Sequence, residues 1–150
     1  MPAGGTEPVV YLTRTPRAGE LTPGWRIITV LTWVGVVLAM ATVWNTSVQL
    51  GLSTWWLGPR GEPQPRLVQL SLFVGPVLMI LGTINNARWL GWCGLVVSGV
   101  LAGYGFGDLG RVTQIAVLEL IIAGVAMGVS IASLTRTYRR IPADAPVAAE

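Results

Sequence analysis

The sequence predicts an all-α membrane protein, a four-transmembrane-helix antiparallel bundle with both termini in the cytoplasm. Hydrophobic residues make up 52% of the 150 residues and charged residues only 11%, which is far more apolar than a soluble domain. Four segments are long and apolar enough to cross a bilayer, which takes about 20 residues. Because short connections join the later segments, neighbouring segments should run antiparallel.

The residue types that are missing exclude most catalytic chemistry. The chain has no His and a single cysteine, Cys93, so zinc sites, iron–sulfur clusters and His-ligated haem lack ligands. The sequence contains no nucleotide-binding or metalloprotease motif and no paired carboxylates. We therefore expect neither an enzyme nor a cofactor. All ten basic residues are Arg, which is typical of a GC-rich genome, and their position beside apolar segments indicates a topology signal, not nucleic-acid binding.

Charge and periodicity define the two ends of the chain and the first span. Residues 1–24 and 135–150 lack sustained periodicity, so each is predicted to be a flexible tail outside the bilayer, the second one beginning with the basic cluster 136–140. No charged residue occurs in the range 27–59. We place the first span at residues 25–46 of the membrane domain, which as a whole covers residues 25–134.

The connection after the first span is rich in Trp and Pro. Residues 47–66 are less apolar than the spans and end in a Pro-rich run, so they cannot form a second buried span. We interpret them as an interfacial loop in which Trp55 and Trp56 dip toward the lipid headgroups. The pattern leaves open whether part of this loop forms a short amphipathic helix.

Three further spans are predicted at residues 67–84, 89–106 and 112–134. Pro76 lies near the middle of the first of these and lacks a backbone donor, so that helix should be kinked. The turns at 85–88 and 107–111 are short, which places the consecutive spans side by side in hairpins.

The distribution of Arg predicts the orientation. Three Arg fall on the side of the long loop, at positions 60, 66 and 111, and seven fall on the side of the tails: Arg14, Arg17, Arg26, Arg88, Arg136, Arg139 and Arg140. The excess predicts cytoplasmic tails and a multi-pass protein of a bacterial inner membrane.

One carboxylate, Glu119, stands within an apolar span. It lies roughly 10 Å below the outer surface at 1.5 Å rise per residue, where an unpaired charge is costly. On a helical wheel it shares a face with small or weakly polar residues, namely Ile115, Ala123, Ala126, Ser130 and Ser133. Glu119 should therefore point into a helix contact, where Ser98 of the third span is its best candidate partner. The favoured interpretation is an interhelical hydrogen bond, while a proton- or cation-coupled role and pairing with a partner subunit stay open.

The end of the third span is rich in glycine. The run Gly103-Tyr104-Gly105, followed by Phe106-Gly107-Asp108, resembles the selectivity filter of potassium channels, and this resemblance implies an ion pore lined by backbone carbonyls. Leu101-Ala102 stands where that filter has Thr-Val, and residues 89–102 are needed for the span itself. We therefore favour close helix packing over a filter.

Glycines spaced four residues apart support that packing interpretation, because small residues let a neighbouring backbone approach closely. One stripe lies on the third span and consists of Gly99, Gly103 and Gly107. The other lies on the fourth span and consists of Gly124 and Gly128. The second stripe lies on a different face from Glu119. Each stripe could pack within this bundle or against a partner.

Four short spans with one membrane-embedded Glu resemble the small multidrug resistance transporters. The resemblance implies exchange of protons for cationic drugs at that acid. In that family the acid lies in the first span, whereas Glu119 lies in the fourth, so no residue role is carried over. A small proton-coupled transporter using Glu119 is the alternative function.

The whole chain is also similar in style to small accessory subunits of the actinobacterial cytochrome bcc and cytochrome oxidase respiratory supercomplex. The similarity consists of the all-Arg basic set, the Pro-rich N-terminal tail, the Trp-rich span ends and the lack of redox ligands. It implies a scaffolding role among other membrane subunits and lipids, with no site residues of its own. The predicted function is thus a non-catalytic accessory or assembly subunit of a larger membrane complex.

Overall fold

A computed structural model describes residues 20–59, 61–135 and 137 of the chain. Within them the chain forms four α-helices and no β-strand, namely α1 (Pro23–Leu50), α2 (Arg66–Ile84), α3 (Leu90–Asp108) and α4 (Thr113–Leu134). Each helix is long and apolar enough to cross a membrane. The predicted four-helix membrane bundle is confirmed. The largest difference from the predicted spans is at the end of α1. The predicted span ends at residue 46, whereas the helix continues to Leu50 and is ended by Gly51.

The helices pack as a ring. Each helix contacts the next one along the chain, and α4 contacts α1. We call the end that carries residues 51–65 and 109–112 the loop end, and the opposite end the terminal end. α3 and α4 share the most extensive contact, whereas α2 and α3 touch least. At the terminal end, residues of α2, α3 and the turn between them line an apolar groove of about 830 Å³.

Buried residues recur at alternating intervals of three and four in every helix. In α1 they are Thr29, Trp33, Val36, Met40, Val43 and Ser47, and in α3 they are Leu90, Gly91, Gly94, Ser98, Leu101, Gly105 and Asp108. This spacing is the heptad pattern of helices that cross at a shallow angle of about 20° with interlocking side chains. In α2 the pattern runs through Pro76, which is buried inside a continuous helix. The predicted kink stays a prediction.

The predicted glycine stripes do not pack within this bundle, with one exception. Gly99, Gly103, Gly124 and Gly128 are exposed, and a Cβ built on any of them would meet no atom within 4 Å. They lie on the outer faces of α3 and α4, so these four do not pack within the chain, and the alternative, packing against a partner, stays a prediction. Gly107 is the exception, because a Cβ there would come within 2.6 Å of the Trp55 indole.

Other glycines bring α3 close to α4. A Cβ on Gly91 would overlap Leu134, and one on Gly94 would overlap Ser130. A Cβ on Gly105 would come within 2.9 Å of the Leu120 side chain. The small residues of the α3–α4 contact therefore occupy the core positions of the heptad, one helical face away from the predicted stripe.

At the terminal end, the start of α1 is tied to the other helices. Glu20 and Leu21 are buried, and Leu21 forms an isolated antiparallel bridge with Thr137. The guanidinium of Arg26 donates a 3.1 Å hydrogen bond to the carbonyl of Ile84. Glu20 and Leu21, at the end of the predicted N-terminal tail, are thus packed, and α1 begins at Pro23. The rest of the two predicted tails and the basic cluster 136–140, apart from residues 135 and 137, lie outside the described residues.

Candidate functional site

The loop after α1 folds back over the loop end of the bundle. Gly51 ends α1 in the left-handed conformation, with φ 69°, a backbone state that glycine adopts without strain. Gly58 also has a positive φ, 77°, and its N–H donates to the carbonyl of Thr54 at 2.9 Å. These two reversals place the segment between them, which we call the tryptophan loop (residues 52–57), against the helices.

Trp56 is a core residue of this end, with 0% of its surface exposed. Its ring meets Trp44 edge to face with centroids 5.9 Å apart, and Trp44 packs in turn against Phe73 at 5.6 Å. The prediction that Trp56 dips toward the lipid headgroups is therefore wrong. Gly51 and Gly58 reverse the chain on either side of the tryptophan loop, so that Trp56 enters the bundle. Burial of its large aromatic ring there is favourable.

The indole N–H of Trp56 donates to Glu119 Oε1 at 3.1 Å, and Glu119 is fully buried. The inward face of α4 agrees with the helical wheel, because the five face-sharing residues named for it are all buried. The predicted partner is wrong, however. Ser98 donates its hydroxyl to the carbonyl of Gly94, one turn earlier on its own helix, at 2.7 Å. A serine within a helix commonly makes this local bond.

Trp55 contacts the end of α3 in three ways. Its backbone N–H donates to Asp108 Oδ1 at 2.7 Å, its indole N–H donates to the carbonyl of Tyr104 at 3.1 Å, and the two aromatic rings lie 5.0 Å apart. The Trp55 indole also rests on Gly107, where no side chain could be accommodated without movement. The glycine at position 107 therefore serves the loop, not a neighbouring helix.

Asp108, which was predicted to lie in the short turn 107–111, is a second buried carboxyl group at the loop end. It is the last residue of α3 and has no exposed surface. Its backbone carbonyl accepts hydrogen bonds from the N–H groups of Arg111 and Val112, both at 3.0 Å. Arg111 also attracts the Asp108 carboxyl group electrostatically. The turn that begins α4 is thus built on Asp108.

Both carboxyl groups are fully buried at the loop end. Asp108 ends α3, whereas Glu119 is the seventh residue of α4, the next antiparallel helix. Consecutive residues of the tryptophan loop bind them, the Trp55 backbone to Asp108 and the Trp56 side chain to Glu119.

Each carboxyl group has one oxygen that is bonded and one that is not. Among the described residues, Asp108 Oδ2 and Glu119 Oε2 are buried without a hydrogen-bond partner, as are Thr54 Oγ1 and Ser47 Oγ at the same end. Buried polar atoms are normally satisfied, so such a group of orphan oxygens calls for an explanation. We call Asp108 and Glu119 together the carboxyl pair.

The chemistry open to this site is limited. Within the described part of the chain, no three His, Cys, Asp or Glu side chains meet as a metal-binding group. The carboxyl pair lies beneath Trp55 and Trp56, and both of its hydrogen-bond donors are neutral N–H groups.

The fold and this site define an integral membrane protein with four helices that can span a membrane and two buried acidic side chains at the loop end of the bundle. No protein-family model, curated protein or solved structure matches the chain.

Proposed function

We propose that the protein is a non-catalytic accessory or assembly subunit of a larger membrane complex. The observation that carries this proposal is the outer face of α3. Gly99 and Gly103 are exposed there between two large exposed side chains, Trp92 at 58% and Phe106 at 63% exposure. A groove of small residues between bulky ones is the surface that membrane helices use for close approach.

A scaffolding role also fits the buried site. The carboxyl pair has no exposed surface and is covered by the tryptophan loop, so a substrate would have no direct access to it. We place the protein in a bacterial inner membrane with cytoplasmic termini, on the excess of Arg on the tail side. The all-Arg basic set, the Pro-rich N-terminal tail and the Trp-rich span ends resemble accessory subunits of respiratory complexes. Respiratory subunits are therefore the first partners to test.

Affinity purification from native membranes in mild detergent, followed by mass spectrometry, tests the proposal. Stoichiometric recovery of other membrane subunits is expected. The double variant Gly99→Leu/Gly103→Leu should lose them, because the added side chains fill the outer face of α3. It should still fold, since nothing lies within 4 Å of a Cβ at either position.

Val100→Leu is the matched control, because Val100 is an exposed neighbour on the same helix and this change adds bulk without filling the glycine groove. It should retain the partners. Recovery of the wild-type chain alone or as a homodimer would contradict the proposal, and so would unchanged partner recovery in the double glycine variant.

A proton-coupled transporter is the second candidate, favoured by the buried carboxyl pair with its orphan oxygens. Intramembrane acids of this kind commonly serve proton coupling. In that case Glu119→Gln abolishes proton-driven flux in reconstituted vesicles, whereas Glu62→Gln, in an exposed loop, leaves flux intact. An accessory subunit carrying Glu119→Gln would still assemble with its partners.

A further inference from the structure

The apolar groove at the terminal end lies along α2 and α3, the neighbouring helices that contact each other least. Met79 and Leu90 line it and are buried, whereas Leu78 and Val96 line it and are exposed, as expected of a groove with a closed floor and open sides. Its lining on α3 extends over residues 90–97, a distance of about 10 Å at 1.5 Å rise per residue. The groove therefore runs from the turn between the two helices into the apolar part of the bundle.

The two ends of the groove differ. A Cβ on Gly75 would come within 2.8 Å of the Val97 side chain, so α2 and α3 approach closely at the inner end. The outer end is formed by the turn between the helices, where Arg88 and Trp89 line the groove. A long apolar chain could enter at the turn and extend between the helices as far as Val97.

Arg88 supplies charge at the outer end of the groove. Its side chain is exposed, and it also lines a second cavity of about 390 Å³, next to the first. Trp89 and Trp92 line both cavities as well. None of the acidic residues that the structure describes lines either cavity. The groove thus combines an apolar interior with a positively charged opening.

The backbone of Trp89 is held in the left-handed conformation, with φ 69°. This conformation is strained for a bulky residue, and strain of this kind is commonly found at ligand sites. The Trp89 side chain is 72% exposed, so burial of its ring within the chain does not account for the strain. Tryptophan rings are favoured at the level of the lipid headgroups, where one side of the ring is apolar and the N–H is wet. The turn therefore presents an interfacial aromatic ring beside Arg88.

We propose that this groove binds one anionic phospholipid, with an acyl chain between α2 and α3 and the phosphate on the Arg88 guanidinium. A guanidinium can donate two parallel hydrogen bonds to a phosphate, and basic pockets between spanning helices bind anionic headgroups. An apolar protein helix would cover the groove but would leave Arg88 without an anion. This site goes beyond an assembly role, because it depends on no protein partner.

Native mass spectrometry of the purified full-length protein tests the proposal. The protein is released from micelles that contain either phosphatidylglycerol or phosphatidylcholine with the same acyl chains. One phosphatidylglycerol per chain should be retained, and phosphatidylcholine should bind about fivefold more weakly, the factor that one Arg near a membrane surface contributes to binding an anionic lipid. Equal retention of the two lipids, or retention of neither, would overturn the proposal without any variant. Displacement of the lipid by an equal concentration of soluble glycerol phosphate would also overturn it, because the acyl chain would then contribute nothing.

Cys93 reports where the lipid binds, because it lines the groove and is exposed. Added phosphatidylglycerol should slow the alkylation of its thiol, since the acyl chain covers it. An unchanged alkylation rate in protein that retains the lipid would place the lipid elsewhere and overturn the proposal. Protection that rises with protein concentration and not with phosphatidylglycerol would mean that a second copy of the chain occupies the groove, which also overturns it.

Two pairs of variants separate the headgroup from the acyl chain. Arg88→Gln should weaken the binding of phosphatidylglycerol about fivefold, whereas Arg66→Gln, which changes an exposed Arg at the loop end, should leave it unchanged. Val96→Trp fills the groove and should abolish retention. Val100→Trp places the same bulk one turn further along the exposed face of α3, outside the groove, and should preserve retention. Equal effects within either pair would contradict the proposed site.

Discussion

The two ends of the bundle are held together in different ways. At the loop end, a buried tryptophan, two buried carboxyl groups and several hydrogen bonds between elements fix one arrangement. At the terminal end, small residues bring α3 against α4, and an apolar groove lies along α2 and α3. In a membrane, where lipid is as apolar as the helices, both close packing and polar contacts can drive association.

The difference shows where specificity resides in this fold. Bonds from the tryptophan loop to Asp108 and Glu119 require one loop conformation and one helix register. Close packing at Gly91 and Gly94 requires only that nothing larger stand there. We therefore expect the loop end to respond to the loss of particular groups, and the terminal end to respond to added volume.

The largest effect is expected for Trp56→Ala at the loop end. The change removes a fully buried ring and leaves Glu119 without its donor. Truncation of a buried Trp costs about 3–5 kcal/mol. Denaturant unfolding in mixed micelles would measure the loss. Trp92→Ala, at the terminal end and 58% exposed, is the control and should change the unfolding free energy by less than about 0.5 kcal/mol. Similar losses in the two variants would show that the ends do not differ in this way.

A smaller effect is expected when volume is added to α3. Gly94→Ala would place a methyl group against Ser130 of α4, and overpacking of this kind costs about 1–3 kcal/mol. Gly99→Ala makes the same change on the outer face, where no atom lies within 4 Å, and should stay within about 0.5 kcal/mol of the wild type. The unfolding free energies of the two variants, measured side by side, test the assignment of inner and outer glycines. An equal cost at both positions would refute it.

Composition and periodicity predict the fold well for this chain. The four helices follow from hydropathy and length, because a membrane leaves few alternatives for an apolar segment of this size. The inward face of Glu119 follows from the small and weakly polar residues that share its side of α4. These properties depend on local sequence, so a single chain is sufficient to predict them.

The contacts of the site could not be predicted in the same way. Trp56 reaches Glu119 across 63 positions in the sequence, and nothing local to either residue indicates the pair. Gly107 shows the same difficulty, because its spacing suits a helix stripe although the space it leaves is filled by Trp55. One local signal pointed to burial of Asp108, because its immediate neighbours in the sequence are glycine and leucine.

The smallest effect is expected where α2 meets α3 at the loop end. There the Tyr104 hydroxyl and Ser71 Oγ share a hydrogen bond 2.5 Å long, in the pair of helices that touch least. Interhelical bonds of this type contribute on average about 0.6 kcal/mol in membranes, and Tyr104→Phe should lower the unfolding free energy by that amount. A double-mutant cycle with Ser71→Ala should return a coupling energy of the same size. A coupling energy of zero would show that this hydrogen bond does not stabilise the bundle.

The same variant tests whether the two ends of the bundle act independently. Cys93 lines the groove at the terminal end and is exposed. If the ends are independent, its alkylation rate should be the same in Tyr104→Phe as in the wild type.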